Sequence, residues 1–473
     1  MSFDPAQWVV DTPERFRVHR DIFREPDIFD LEMRHIFEST WVFLGFACQV
    51  PRPHDFFTTS IGRSPVIVSR DAQGRLGAFL NSCRHRGALV CHDEQGHSKF
   101  HVCHYHGWAY DSAGRAIDIK DEAHGCYPAQ FGQEDHGLKG IAHFGEYRGF
   151  LFGSLNPDVK PLEEHLGDTR VFIDMVVDQG EAGFELVPGY SSYIFNGNWK
   201  LQVENCVDLY HLTSTHPSFM QIVERRKSGD SGNGLAAIDF ADYRLPGMVR
   251  GSYTFANGHA MVWGGTAAPQ VRPLWDDIER VRARVGPLRA QWMLATRNLT
   301  LYPNMQIAEN ASLQVRVIRP LAVDRTEMRI YCLGPVGESA AARERRIRQY
   351  EDFFNSTGLA TPDDTVCYQD IQAGMAARDI DWQQGYDRGM TARIEGPDSY
   401  ADELGIRPAT SVTGPFDTQD ETVFHAGYRE WLRLMGEGCS RDAQGRASSA
   451  SSASSASGGQ AGRGDTSSAG AGL

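Results

Sequence analysis

Cys83-Arg84-His85-Arg86-Gly87 and, further on, Cys103-His104-Tyr105-His106-Gly107-Trp108 decide how this chain reads. Each stretch offers one Cys and one His, spaced C-x-H and C-x-x-H, with 17 residues between His85 and Cys103. A zinc finger usually pairs Cys with Cys and His with His. A cluster of two irons that differ in ligation instead wants each loop to give one Cys to one iron and one His to the other. Gly87 and Gly107 follow the pairs closely, as expected of tight turns that bring backbone near sulfur. Two ferric irons, two sulfides and two thiolates sum to zero, whereas four thiolates would leave a double negative charge, so neutral imidazoles make such a centre easier to reduce. A structural zinc site is the competing reading. His92, His97, His101 and His104 crowd the same region, but spacing disfavours them, and His104 abuts Cys103, so its ring points elsewhere. Cys91 reads as a small core thiol.

Around these loops, short β-type runs occur at Trp41 to Cys48, Val66 to Ser69, Leu76 to Leu80 and Gly149 to Leu155. Turn signals such as Asp71-Ala72-Gln73-Gly74 and Asp111-Ser112-Ala113-Gly114 separate them and predict a small antiparallel β module over residues 41–157. Upstream, an apolar stripe of Ile22, Phe23, Phe29, Leu31, Met33 and Ile36, interrupted at Pro26, predicts a helical lead-in over residues 1–40 that packs on the larger domain. That larger domain, residues 158–438, mixes strand-like runs (Ser192 to Phe195, Leu299 to Tyr302, Leu313 to Ile318, Met328 to Leu333) with helical ones (Leu162 to Asp178, Asp276 to Arg284, Ser339 to Phe354). It therefore reads as α+β, and so does the chain. Residues 439–473 are Ser, Ala and Gly with little apolar bulk, which predicts a disordered tail.

Composition agrees with a globular chain. At about 150 residues per domain, 473 residues allow roughly three units. Hydrophobic residues at 41%, aromatic at 11% and charged at 23% exclude collagen-like, fully disordered and disulfide-dense classes. A net charge of −14 argues against nucleic acid or anionic lipid as a partner. No apolar run is long enough to span a bilayer, and Met1-Ser2-Phe3-Asp4-Pro5 lacks the features of a leader peptide. The nine Cys form no secreted framework, so the expectation is a cytoplasmic protein with reduced thiols.

The second constellation lies in Asn205-Cys206-Val207-Asp208-Leu209-Tyr210-His211-Leu212-Thr213-Ser214-Thr215-His216-Pro217. On one helix Asp208, His211 and His216 would fall within about 140° of one another. Pro217 biases His216 out of the α region, letting its ring swing toward the first imidazole. Two His and a carboxylate form the facial triad of mononuclear non-haem Fe(II). The carboxylate need not be local: Thr361-Pro362-Asp363-Asp364 heads a predicted helix and is the best distant source, with Asp370 a weaker one. Two His on a helix are often a hydrogen-bonded core feature, but beside a one-electron carrier they point to an oxygenase.

On these motifs the chain resembles the large (alpha) subunit of Rieske-type aromatic ring-hydroxylating dioxygenases, from about residue 15 to 435. The resemblance implies Cys83, His85, Cys103 and His106 as ligands of a 2Fe-2S cluster. It also implies His211, His216 and Asp364 as ligands of the catalytic iron, with Asp363 as the neighbour from which Asp364 must be told apart. Asp208 would bridge to His106 of a neighbouring alpha chain, and Asn205 matches an Asn near the iron, so the resemblance implies a ring of at least three alpha chains. Phe195 to Gln202, Phe353-Phe354-Asn355 and Gly358 to Asp364 look most like the benzoate, toluate, anthranilate and 2-halobenzoate 1,2-dioxygenase group. Cys206, Val207, Leu209 and Thr213-Ser214-Thr215 depart from it and alter the pocket. The implied activity adds both atoms of O2 to an aromatic carboxylate, giving a cis-diol or a catechol. Electrons would come from NADH through a flavin and 2Fe-2S reductase, and a small beta subunit would complete an α3β3 hexamer. A monooxygenase such as a salicylate hydroxylase is the alternative. Arg225, Arg226 and Lys227 could hold a substrate carboxylate, but a surface cationic run is the preferred reading.

Overall fold

The computed structural model describes residues 3–4, 7–228, 249–266, 268–310, 312–353, 355–414 and 420–457. The chain opens on a β-hairpin, β1 (Val9–Thr12) and β2 (Arg15–His19), not on a helix. The helical expectation fails for this segment because its pattern has period two: Phe16 and Val18 are fully buried, while Arg15, Arg17 and His19 face outward. Helices α1 (Asp21–Arg24) and α2 (Pro26–Glu32) and a π-helical turn at Met33–Phe37 follow. Pro26 starts α2 rather than breaking a longer helix, at a position where its missing N–H costs nothing.

The β module consists of β3 (Val42–Phe46), β4 (Asp55–Ile61), β5 (Ser64–Arg70), β6 (Leu76–Leu80), β7 (Gln95–His97), β8 (Phe100–Val102), β9 (Ala109–Asp111), β10 (Ala116–Asp118), β11 (His143–Tyr147) and β12 (Phe150–Ser154). They pair antiparallel in three sheets of order β6-β5-β4-β7, β10-β9-β8 and β11-β12-β3. Phe56, Ile67, Val90, Trp108, Tyr110 and Leu138 form a core that also takes in Cys83, Cys91 and Cys103.

The larger unit begins with α3 (Leu162–Leu166), α4 (Arg170–Val177), β13 (Phe184–Leu186) and β14 (Ser191–Phe195). Helices α5 (Trp199–Asn205), α6 (Leu212–Thr215) and α7 (Pro217–Ser228) come next, then β15 (Arg250–Thr254), β16 (Ala260–Gly264), α8 (Ile278–Val285) and α9 (Pro287–Leu294). The long strands are β17 (Thr296–Leu301), β18 (Met305–Glu309), β19 (Leu313–Ala322) and β20 (Arg325–Pro335). The chain ends with α10 (Ala340–Asp352), α11 (Thr361–Gly374), β21 (Trp382–Gln383), β22 (Ile394–Glu395), α12 (Ser399–Leu404), β23 (Thr410–Gly414) and α13 (His425–Ser457). One antiparallel sheet runs β13-β20-β19-β18-β17-β16-β15-β23-β22, with β14 also on β20.

Alternation gives this sheet two unlike faces. Leu299, Leu301, Met305, Ile307, Leu313 and Val315 point one way, into an apolar core shared with Phe172, Ile278, Val281 and Trp292. Thr300, Gln306 and Arg316 point the other way, toward the helices that carry the candidate iron ligands. Gln306 Oε1 accepts from Gln202 Nε2 of α5 at 3.1 Å, and Tyr368 Oη of α11 donates to Gln202 Oε1 at 3.4 Å.

The hairpin belongs to this larger unit, because Val18 and His19 pair with Gln383 and Trp382 of β21. Trp431 of α13 donates to Glu32 Oε1 at 2.7 Å, and the Glu32 carboxylate also takes Trp199 Nε1 and Lys200 Nζ. The predicted disordered tail is corrected for residues 439–457, which continue α13. Arg433 and Arg441 pair with Glu437 one turn away, and Arg34 holds Asp442 at 3.0 Å, so pairs along and across the helix carry it past Cys439. Residues 458–473 lie outside the described residues.

Candidate functional site

The two Cys and His loops are built alike. In the first, Gly87 N–H donates to the Cys83 carbonyl at 2.9 Å and Cys83 N–H to the Ala88 carbonyl at 2.8 Å. In the second, Gly107 N–H donates to the Cys103 carbonyl at 2.9 Å and Cys103 N–H to the Trp108 carbonyl at 2.8 Å. Gly87 at φ +79° and Gly107 at φ +78° close both turns in the left-handed region that a side chain disfavours. Cys83 and Cys103 are buried, while the His85 and His106 rings lie nearer solvent with their Nδ1 atoms 3.0 Å apart. Each loop thus contributes one buried thiol and one more exposed imidazole, and the two imidazoles meet. Trp108 stacks on His85 with ring centres 5.2 Å apart. Tyr110 Oη accepts the Arg84 N–H at 3.1 Å, which leaves its own hydrogen for Cys83 Sγ at 3.2 Å. Neither Trp108 nor Tyr110 carried a sequence signal. His104 Nδ1 lies 3.2 Å from His92 Nε2, so this pair turns to each other, and Cys91 is a buried core thiol.

In the second site Asp208, His211 and His216 do not share one helix, which corrects the helical expectation. α5 ends at Asn205 because Asp208 Oδ1 accepts the Tyr210 N–H at 2.7 Å and the His211 N–H at 3.3 Å, a local turn that competes with the helical ladder. His211 caps α6 at its start and His216 at its end, where the latter has left the α region at φ −111°, ψ 38° before Pro217.

The result is a paired arrangement. His211 Nδ1 lies 3.0 Å from Asp208 Oδ2, and His216 Nδ1 lies 3.3 Å from Asp363 Oδ2. Each imidazole therefore keeps its Nε2 for a common centre, and Asp364 Oδ1 sits 3.4 Å from the His211 Nε2 and 3.2 Å from the His216 Nε2. The donor atoms of His211, His216 and Asp364 lie within 4.8 Å of one another. Asp363 and Asp364 head α11 as expected, but only Asp364 faces both Nε2 atoms. Asn205 Nδ2 reaches 3.4 Å from His211 Nε2.

Burial works against a charged His211 ring, yet Asp208 and Asp364 outweigh it and raise the imidazole to about 10. Burial likewise works to raise Asp364, but the two imidazoles hold it far below the usual carboxylate range. The field at this point favours a cation, and the buried Asp364 Oδ1 has no other partner to satisfy it. The donor set fits a divalent iron with open positions. Beside it, Glu204 accepts from Tyr386 Oη at 2.8 Å and from Tyr428 Oη, and burial lifts its carboxyl to about 7. These long-range partners were also invisible in the sequence. Within the cationic run, Arg226 forks onto Asp352 at 2.6 and 2.9 Å, and the Lys227 side chain lies outside the described residues.

Residues 183–437 match the family of the ring hydroxylating alpha subunit (catalytic domain), and residues 40–130 match the Rieske [2Fe-2S] domain. The chain belongs to the ring-hydroxylating alpha-subunit family. As such an alpha subunit it carries a Rieske cluster and a mononuclear non-haem iron. It is 42% identical over 429 residues to the toluate 1,2-dioxygenase subunit alpha of Pseudomonas putida, covering 90% of this chain and 92% of that one. It is 40% identical to the 2-halobenzoate 1,2-dioxygenase large subunit of Burkholderia cepacia, covering 89% and 90% of the two chains. The anthranilate 1,2-dioxygenase large subunit of Acinetobacter baylyi is 38% identical, with 90% and 91% covered. Among solved structures, naphthalene 1,2-dioxygenase from Rhodococcus sp. bound to indole has a TM-score of 0.75 at 24% identity, covering 89% of this chain and 94% of that one. A quaternary ammonium Rieske monooxygenase in complex with L-carnitine has a TM-score of 0.61 at 15% identity, covering 90% and 97%. The alpha-subunit fold thus serves more than one oxygenation outcome. Among the described residues, no helix is long and apolar enough to cross a membrane.

Proposed function

We propose that this alpha subunit is the terminal oxygenase of a multicomponent system that adds both atoms of O2 to an aromatic carboxylate of the benzoate, anthranilate or 2-halobenzoate type. The product is a cis-diol or, where a ring substituent leaves, a catechol. The observation that carries this reading is the pair of centres in one chain, together with relatives at 38–42% identity that are all named for 1,2-dioxygenation of benzoic acids. Electrons come from NADH through a separate flavin and 2Fe-2S reductase, in the cytoplasm. A small beta subunit completes an α3β3 assembly.

Cys83 and Cys103 hold one iron of the cluster, and His85 and His106 hold the other through the two Nδ1 atoms that face each other. His211, His216 and Asp364 hold the catalytic iron. When bound, the two groups supply single electrons and an open position for O2. The residues set orientation and timing. Because Nδ1 of His106 is turned inward, its Nε2 is left for an outward contact, and its ring is only half-buried. Asp208 uses one oxygen on the His211 Nδ1 and remains part-exposed at 22%. A carboxylate so placed accepts from an imidazole on each side, so Asp208 of one chain links His211 to His106 of a neighbouring alpha subunit. Asp363 fixes the His216 ring through its Nδ1 from within the chain, as Asp208 fixes His211, and Asn205 stands beside the His211 Nε2.

The test is oxygenation by the holoenzyme with reductase, NADH, benzoate and isotopically labelled O2. Product carrying label in both new oxygens is expected. Label in a single oxygen would establish the monooxygenase alternative in its place.

A further inference from the structure

The iron site leaves one enclosed acid unused. Glu204 lies on α5, four residues before Asp208, and its Oε1 accepts from Tyr386 Oη at 2.8 Å and from Tyr428 Oη of α13. Tyr386 Oη also lies 2.5 Å from Gln383 Oε1 and 3.2 Å from Tyr428 Oη. Both phenols are buried, whereas Gln383 is half-buried and leads to water. Counting hydrogens shows what this group of oxygens can do. Each phenol has one to give. With Glu204 ionised, both phenols donate to its Oε1, and the Gln383 amide turns its Nε2 toward Tyr386 to keep the remaining contact. With Glu204 protonated, the acid donates to Tyr386, Tyr386 donates to Gln383 Oε1, and Tyr428 still donates to Glu204. Each of these contacts therefore keeps a hydrogen in both states, which differ by one proton and one amide turn.

The surroundings hold this acid near its switching point. Val203, Val207, Ala260, Val423 and Phe424 border a cavity of about 20 Å³ against Glu204, an apolar side that offers its ionised form no solvation. Loss of solvent lifts the carboxyl to about 7, with the two phenols opposing and the Asp208 charge adding to the rise. Lys200, on the same helix, pulls the other way but is held by Glu32 of α2. Glu421, just before α13, is pushed up to about 8 by its own burial and by Asp208 and Glu204, against the pull of Arg388. Asp208 Oδ2 in turn lies 3.0 Å from His211 Nδ1, so Glu204 stands in the field of the proposed path of electrons to the iron. A negative charge added roughly 10 Å away, at an effective dielectric of about 20, raises the proton affinity of such a carboxylate about tenfold.

We propose that Glu204 takes up a proton from water when an electron reaches the iron past Asp208, and holds it until the iron is reoxidised, an inference that rests on the relay reading above. The cluster loses the electron and the iron gains it, while a water-derived proton forms the O–H bond of the Glu204 carboxyl. The added negative charge and the added proton cancel, so the iron is reduced without leaving an uncompensated charge in a poorly solvated site. Glu204 acts through the field and does not touch the iron. Adding both atoms of O2 to a ring as a cis-diol consumes two electrons and two protons, so a proton stored with an electron is stored where the reaction needs it.

The experiment is anaerobic reduction of the iron-loaded assembly with dithionite, in which a pH-indicator dye reports proton uptake, alongside infrared difference spectra recorded at an electrode. Protons released by dithionite itself cancel between the native protein and its variants. Between about pH 7 and 8 the native assembly should take up roughly half a proton more per reduced iron than Glu204→Gln. The reduced-minus-oxidised spectrum should show the carbonyl band of a carboxylic acid, and Glu204→Gln should lack it. In Asp364→Ala, which keeps the cluster but not the iron, adding Glu204→Gln should change nothing. Tyr428→Phe removes a hydrogen bond that favours the ionised carboxylate, so its uptake should be largest about one pH unit higher, and it carries the test if Glu204→Gln fails to fold. Equal uptake by the native protein and Glu204→Gln, a band that survives in that variant, or a pH profile unmoved by Tyr428→Phe overturns the proposal. So does an effect of Glu204→Gln that persists beside Asp364→Ala, because the proton then follows the cluster. A native iron that accepts no electron overturns the relay reading together with it.

Discussion

Asp363 and Asp364 are chemically identical neighbours, and one helical step of about 100° separates what they do. Asp364 Oδ1 faces the Nε2 atoms of His211 and His216, whereas Asp363 Oδ2 meets only the Nδ1 side of His216. Asp364→Ala therefore deletes a donor, while Asp363→Ala loosens a ring that still binds. After dialysis against a chelator, Asp364→Ala should retain no catalytic iron, and Asp363→Ala should hold it some 10–100-fold more weakly. Iron contents that fall equally in both variants would remove the distinction. The sequence placed both residues beside the right pair of His but left the choice open, because adjacency in a chain says nothing about which carboxylate turns inward. Tyr110 was hidden for a related reason: a phenol 27 residues from Cys83 becomes its hydrogen-bond partner only once β9 is laid down beside the loop.

At the scale of elements, strongly patterned segments were readable and marginal ones were not. The runs at Leu313 to Ile318 and Met328 to Leu333 became β19 and β20, and Ser339 to Phe354 became α10. The β1–β2 hairpin was missed because four- and five-residue strands give little periodicity, and its stability is tertiary: it borrows β21 for pairing and the start of α13 for cover. That cover has an acid limit. The His425 ring stacks on Phe16 at 3.7 Å, donates from Nε2 to the Tyr386 carbonyl at 2.7 Å and receives Arg393 on Nδ1, an arrangement that suits only the neutral ring. Burial, reinforced by Arg429 and Arg393 against the opposing hydrogen bond to the Tyr386 carbonyl and the weaker pull of Asp11, lowers it to about 4, and burial does the same to His259. A base whose folded value lies below its unfolded one stabilises the fold fully above about pH 6.5 and loses that contribution as pH falls toward 4. Each of these two rings should cost about 3 kcal/mol across that window. Thermal unfolding against pH should show a steeper acid limb for the native chain than for His425→Gln, and superimposable limbs would refute the assignment.

At the scale of the whole molecule, both ends of the proposed relay reach the surface of the same chain. His85 is exposed, and Phe100, Val102 and Tyr105 near the cluster loops are more than half exposed, an apolar patch that a docked neighbour would cover. Tyr210, beside Asp208, is half exposed with the Arg388 guanidinium 3.9 Å over its ring. The sequence supplied both motifs but could not say that their open sides point outward, which is a property of how the module and the large sheet are joined. If electrons cross between chains, neither centre needs its partner in the same polypeptide. Two inactive variants make the point: His106→Ala lacks a cluster ligand and Asp364→Ala lacks an iron ligand. Assembled separately, each should be dead. Co-assembled in one ring, an intact cluster of the Asp364→Ala chain lies beside an intact iron site of the His106→Ala chain, and part of the native turnover should return. Adding Asp208→Ala to the His106→Ala chain removes the link on the accepting side and should abolish that recovery while its iron content stays unchanged. Recovery that survives the third substitution would mean that the electrons travel by another route, and no recovery in the mixed ring would place the transfer within a single chain.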